Sequence, residues 1–131
     1  YPHDAKNPKK GLITKSGSKL EFDDVKKEVT LSTKEKLEMK FNEKEQSIIV
    51  KERGEGAVLK LDKKGIILVY KGNKLEINKD GVKINGGGSK LEVMKAGVKI
   101  DTKKKLSMKA VGAIMDGGPK AEIKGGMVEL K

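Results

Sequence analysis

The chain reads as all-β, built from many short strands stacked one on the next. Three observations predict this. Apolar residues alternate with polar ones at a period of two, as in Lys74-Leu75-Glu76-Ile77 and Val82-Lys83-Ile84, which is the signature of a strand with one buried face. The unit recurs: sixteen residues on come Lys90-Leu91-Glu92-Val93 and Val98-Lys99-Ile100. Short turn signals separate the units, among them Gly72-Asn73, Asp80-Gly81 and Gly125-Gly126, with residues that tolerate positive φ.

In chain order, residues 1–10 (YPHDAKNPKK) hold two of the three prolines and no periodicity. They read as a linker or arm from an upstream domain, leaving 11–131 as the repetitive part. Thr14 to Ser18 makes a turn before Lys19-Leu20-Glu21-Phe22, which Asp23-Asp24 closes. Val29-Thr30-Leu31 follows. The stretch from Lys34 to Lys44 has helix-friendly composition, yet Leu37, Met39 and Phe41 alternate and predict a strand. Ile48 to Val50, Val58 to Leu61 and Ile66 to Tyr70 come next; Ile66-Ile67-Leu68-Val69 lacks alternation, so the faces of residues 54–70 stay open. Beyond the central repeats, Lys105-Leu106-Ser107-Met108 and Lys120-Ala121-Glu122-Ile123 recur at fifteen-residue steps, with Ala110 to Met115 and Met127 to Leu130 as further strands.

Composition bounds what such a chain does. It carries 30 Lys plus Arg against 19 Asp plus Glu, a formal charge of +11, with 37% charged and 3% aromatic residues. That could describe a disordered polycation, but the apolar residues are strictly placed. The absence of cysteine excludes disulfides, thiolate metal sites and a cysteine nucleophile. No apolar run approaches the roughly 18–20 residues of a membrane helix. The lysines are spread along the repeats without aromatic platforms, which argues against nucleic acid; a solvated outer face that blocks edge-to-edge aggregation explains them better.

Strands this short offer about two inward side chains each, so a unit must bury its face against the next. A monomeric solenoid needs three faces per coil and a longer period. Three intertwined chains need one strand per face from each, which suits a half-repeat near eight. The expected fold is an intertwined homotrimeric triple-stranded β-helix, or β-prism. Its core would be Leu20, Phe22, Leu37, Met39, Leu75, Ile77, Val82, Ile84, Leu91, Val93, Val98, Ile100, Leu106, Met108 and Ile123. Thirteen or fourteen strands at about 4.8 Å each would give a shaft of roughly 60–70 Å, its backbone paired with neighbouring chains.

The segment Gly11-Leu12-Ile13-Thr14-Lys15-Ser16-Gly17-Ser18-Lys19-Leu20-Glu21-Phe22-Asp23-Asp24, preceded by Asn7-Pro8-Lys9-Lys10, resembles the start of the C-terminal spike of valine-glycine repeat protein G (VgrG). The central spikes of contractile phage tails are similar. The resemblance covers the chain from about Asn7 onward. It implies a homotrimeric, membrane-puncturing spike of a type VI secretion or phage-baseplate machine, made in the bacterial cytoplasm and then ejected. It also implies hub and tube partners upstream. Some phage spikes end in a His-X-His iron tip; here the single histidine, His3, is at the other end. A separate PAAR-repeat tip protein is therefore the expected partner, seated on Gly126, Met127, Val128, Glu129, Leu130 and Lys131 at a tip spanning 125–131.

No catalytic residue, metal or cofactor is expected. Asp23 and Asp24 are adjacent on a strand and point to opposite faces, which suits a strand end better than acid–base chemistry. Gly86-Gly87-Gly88 has neither the Lys-Ser/Thr ending nor the helix of a phosphate loop and reads as a wide turn. The rival functions are a monomeric lipid-binding β-barrel, a basic nucleic-acid-binding domain and a glycan-cleaving tailspike.

Overall fold

The computed structural model describes residues 8–131. Its strands are β1 (Lys9–Ile13), β2 (Lys19–Asp23), β3 (Glu28–Ser32), β4 (Leu37–Asn42), β5 (Ser47–Glu52), β6 (Val58–Asp62), β7 (Gly65–Tyr70), β8 (Asn73–Asn78), β9 (Gly81–Gly86), β10 (Ser89–Met94) and β11 (Gly97–Thr102). They form one antiparallel meander in sequence order, β1 to β11. The described residues contain no helix. Ten spacings of about 4.8 Å make the sheet about 48 Å long. It is open: among the described residues β1 and β11 have no neighbour beyond β2 and β10.

The turns explain why consecutive strands pair. Asp23 Oδ1 accepts the N–H groups of Val25 (3.1 Å) and Lys26 (2.9 Å). Asp62 Oδ1 accepts those of Lys64 (2.8 Å) and Gly65 (3.2 Å), and Asn78 Oδ1 that of Asp80 at 2.9 Å. Each carboxylate or amide at a strand end thus reverses the chain by holding the next backbone groups. On the opposite side of the sheet the reversals are Lys71-Gly72 (φ 45° and 81°) and Gly87-Gly88 (φ 56° and 82°). Two consecutive positive φ values are the hairpin geometry that matches strand twist. Gly86 to Gly88 is therefore a tight turn with Gly86 inside β9, not the wide turn expected.

Connections of four or five residues join β1 through β6, and two-residue turns join β6 through β11. The sheet thereby becomes more compact along its length.

Three further differences from the sequence reading stand out. Lys9 and Lys10, read as part of an arm, belong to β1, where Lys9 faces Asp23 and Lys10 faces Phe22; His3 and residues 1–7 lie outside the described residues. Backbone partners of the strands were expected on neighbouring chains, yet β2–β10 have both edges occupied by their own chain. Lastly, the strands expected at 105–108, 110–115, 120–123 and 127–130 are not present: the ladder stops at Thr102. Period-two alternation shows that a segment can present a face, but a strand also needs a partner for its N–H and C=O groups.

Candidate assembly face

Residues directly opposite in an antiparallel pair point to the same side of the sheet, so the register sorts every side chain. One row runs Leu12, Leu20, Leu31, Met39, Val50, Leu59, Leu68, Leu75, Ile84, Leu91, Ile100 and is apolar on all eleven strands. The next row on that side begins at Lys10 and continues Phe22, Val29, Phe41, Ile48, Leu61, Ile66, Ile77, Val82, Val93, Val98. Two apolar ribbons therefore span the sheet side by side.

No described residue covers them. No hydrophobic side chain of the described residues is buried. Ile84 is 44% exposed, Leu68 42% and Val93 43%, although all three lie on strands paired on both sides. Near β5–β9 the ribbon of Val50, Leu59, Leu68, Leu75 and Ile84 lines an open trough of about 560 Å³, with Leu37 and Tyr70 at its side. An apolar strip about 48 Å long and two side chains wide exposes on the order of 600–700 Å², beyond the few hundred usual for a solvated monomer surface.

Twelve of the expected core residues lie on this one face: Leu20, Phe22, Leu37, Met39, Leu75, Ile77, Val82, Ile84, Leu91, Val93, Val98 and Ile100. Leu106, Met108 and Ile123 do not join them, since no strand extends past Thr102. The register also settles Ile66 to Val69. Ile66 and Leu68 belong to the apolar ribbons, whereas Ile67 and Val69 face the other way, opposite Lys60 and Val58. With Ile49, these last three aliphatic residues form a small island on the polar side. That island hides the alternation from sequence reading.

The reverse face is a charge lattice. Along one row Glu76, Lys83, Glu92 and Lys99 alternate in sign from strand to strand. Along the strands, Lys74 Nζ sits 3.1 Å from Glu76 and Lys90 Nζ 2.8 Å from Glu92. The hydrogen bond from Lys74 holds the Glu76 carboxyl below its usual range, and that from Lys90 does the same for Glu92. Reciprocally, the bond to Glu92 raises Lys90. Over β1–β11 this face presents nine lysines and eight carboxylates, close to balance. The excess lies elsewhere: the connections between strands hold twelve cationic residues against six acids. No sequence argument had separated these two sets, because both occur at every repeat.

Asp23 and Asp24 part company as expected from alternation. Asp23 is 7% exposed and caps its turn, and Asp24 Oδ2 lies 3.4 Å from Lys10 Nζ. Among the described residues no group of three or more His, Cys, Asp or Glu is placed to hold a metal, and no helix is long and apolar enough to cross a membrane.

At the expected tip, Met127 is 86%, Val128 53% and Leu130 89% exposed, and Lys131 Nζ lies 3.3 Å from Glu129. Gly126 to Lys131 form no strand. No protein-family model matches the chain, and no curated protein matches it either.

Proposed function

We propose that the chain is the shaft of a membrane-puncturing spike of the VgrG or phage-tail kind, a structural part that works by rigidity and carries no catalysis. Three copies pack their apolar faces together about a common axis, giving a trimeric β-prism whose outer surface is the charge lattice. The observation that carries this reading is the pair of uninterrupted apolar ribbons on a sheet with no buried apolar residue of its own. Such a face needs an equally long apolar surface, and other copies of the same sheet supply one. A three-sided arrangement covers each face with two others and leaves the lattice wet on every side.

The open sheet also favours the spike over a lipid-binding barrel, because β1 and β11 are not partners. The near balance of the outer face favours it over a nucleic-acid platform, whose affinity rests on an unbalanced field. Within β2–β10 the chains of the prism join through side chains, since the backbone ladder is already complete in each. The proposed role places the protein in the bacterial cytoplasm until assembly and then in the ejected apparatus. Hub and tube proteins lie upstream, and a PAAR-repeat tip protein sits on residues 126–131.

The test is the mass in solution by multi-angle light scattering across a concentration series. A trimer is expected at three times 14.3 kDa, about 43 kDa, with an elongated hydrodynamic profile. A compact particle of 14.3 kDa would overturn the proposal.

A further inference from the structure

We infer that the strand following β11 in the stack comes from another copy of the chain: residues 105–110 of one chain seat on the open edge of a neighbour's β11. The inference rests on the trimeric reading above and adds to it the place where chains cross over.

The edge of β11 is shaped for a strand that the described residues of its own chain do not provide. Gly65, Gly81 and Gly97 recur every sixteen residues with the same backbone conformation, φ 144°, 143° and 136°. At Gly65 a Cβ would lie 2.0 Å from the carbonyl oxygen of Ile77, and at Gly81 2.1 Å from that of Val93. The next strand occupies the space that a side chain would need. At Gly97 the same space is empty, with nothing within 4 Å.

A segment in need of partners follows at once. Leu106 and Met108 alternate with polar residues as in the paired strands, yet they are 52% and 75% exposed. From residue 103 onward the described main chain makes one turn bond between its own groups, Lys120 N–H to the Gly117 carbonyl at 3.2 Å. A segment whose apolar side chains are exposed and whose strand-like backbone has no ladder partner is suited to an open sheet edge.

Turn arithmetic disfavours its own chain as that surface. β8, β9, β10 and β11 begin at 73, 81, 89 and 97, a spacing of eight. The Lys-Leu-X-apolar units start at Lys74 and Lys90, but the next starts at Lys105, one residue early. A two-residue turn at Lys103-Lys104 would set Leu106 opposite Asp101 and Met108 opposite Lys99. Both apolar residues would then lie on the charge lattice, because a slip of one residue turns every side chain over. Lys103-Lys104 also lacks the glycine found in Lys71-Gly72 and Gly87-Gly88 on the same side of the sheet. A three-residue turn keeps the face, but it closes with a left-handed residue; Lys27 and Lys71 take that conformation (φ 54° and 45°), so at Thr102-Lys103-Lys104 the missing glycine makes such a turn costlier without forbidding it. Once the segment crosses to a neighbour, no turn ties its phase to its own β11. Leu106 and Met108 then take the rows of Ile100 and Val98.

The chain has no cysteine, so a pair of them can be placed cleanly. Lys99→Cys and Ser107→Cys put one thiol on β11 and one on the segment, both on the outward side. Light and isotopically heavy full-length chains are refolded together and joined with a short bismaleimide. The linked peptides are read by mass spectrometry and the particle mass by light scattering. The expected result is light–heavy pairs as abundant as the two like pairs together, within a trimer. A trimer whose linked peptides are all like pairs, or which yields none, overturns the crossover and leaves the spike shaft standing. A monomer removes both. A second variant inserts one glycine between Lys103 and Lys104, which restores a two-residue turn with the apolar phase intact. It is expected to shift the pairs toward like ones, and an unchanged mixed fraction would overturn the register argument.

Discussion

Replacing Ile84 with Asp places a carboxylate within the longer apolar ribbon, opposite Leu75 and Leu91. In the separate chain that position is 44% exposed, so the variant sheet loses little by itself. In the proposed trimer three such groups meet at the axis. Burying one unpaired carboxylate costs several kcal/mol, so three cost about 10 kcal/mol or more per trimer. Three lost isoleucine burials add about 2 kcal/mol each. The sum rivals the whole stability of an ordinary domain, about 5–15 kcal/mol, and the trimer should be absent at neutral pH. Lys83→Gln, one residue away on the outer face, should leave it intact. As pH falls below about 3.9, the ordinary aspartate value, the carboxyl becomes mostly neutral in the separate chain as well, so part of the assembly should return on acidification. Light scattering at pH 7 and pH 3.5 reads both variants. An Ile84→Asp trimer with unchanged melting temperature at pH 7 would refute the inward-facing assignment.

Gly81→Val should unfold the β9–β10 hairpin, because its Cβ would meet the Val93 carbonyl oxygen and φ is 143°; a loss of at least about 2 kcal/mol is expected by chemical denaturation. The lowered carboxyls of Glu76 and Glu92 contribute stability that is present above their unfolded value of 4.5 and is lost as pH falls through the lower folded value. Glu92→Gln should therefore flatten the melting temperature between pH 5 and pH 3 relative to the parent chain, and an equally steep profile would show that the lattice carries none of the acid sensitivity.

Much of the sheet was legible where one residue type fills each face. Lys74-Leu75-Glu76-Ile77 declares its strand, its two faces and its partner, since Ile84 and Val82 repeat the pattern at the right spacing. Leu37, Met39 and Phe41 were equally clear despite their helix-friendly surroundings. Legibility fails at Ile66 to Val69, where Ile67 and Val69 meet Lys60 and Val58 on the lattice side. A residue's face there depends on the register, which local alternation does not contain. It fails again beyond Thr102, where the alternation persists and the pairing does not. The clue was a step of fifteen in place of sixteen, a single residue whose meaning emerges only when the turns are counted. The turns themselves were partly legible: Asp80-Gly81 was read as a reversal, whereas Gly86 to Gly88 looked wider than it is because Gly86 still belongs to a strand.

The alternation of turn chemistry along the sheet makes the chain a ruler with a fixed graduation. From β6 to β10 one margin reverses through an Asp or Asn and a following glycine, at Asp62 to Gly65 and Asn78 to Gly81; the other through Lys71-Gly72 and Gly87-Gly88. Duplicating sixteen residues adds a complete hairpin, about 9.6 Å of length, and returns each kind of reversal to its own margin. Duplicating eight would hand one margin's sequence to the other and misalign everything downstream. Length in such a molecule can be inherited, gained or lost only in whole hairpins, so its reach is quantised by the same glycines that fold it.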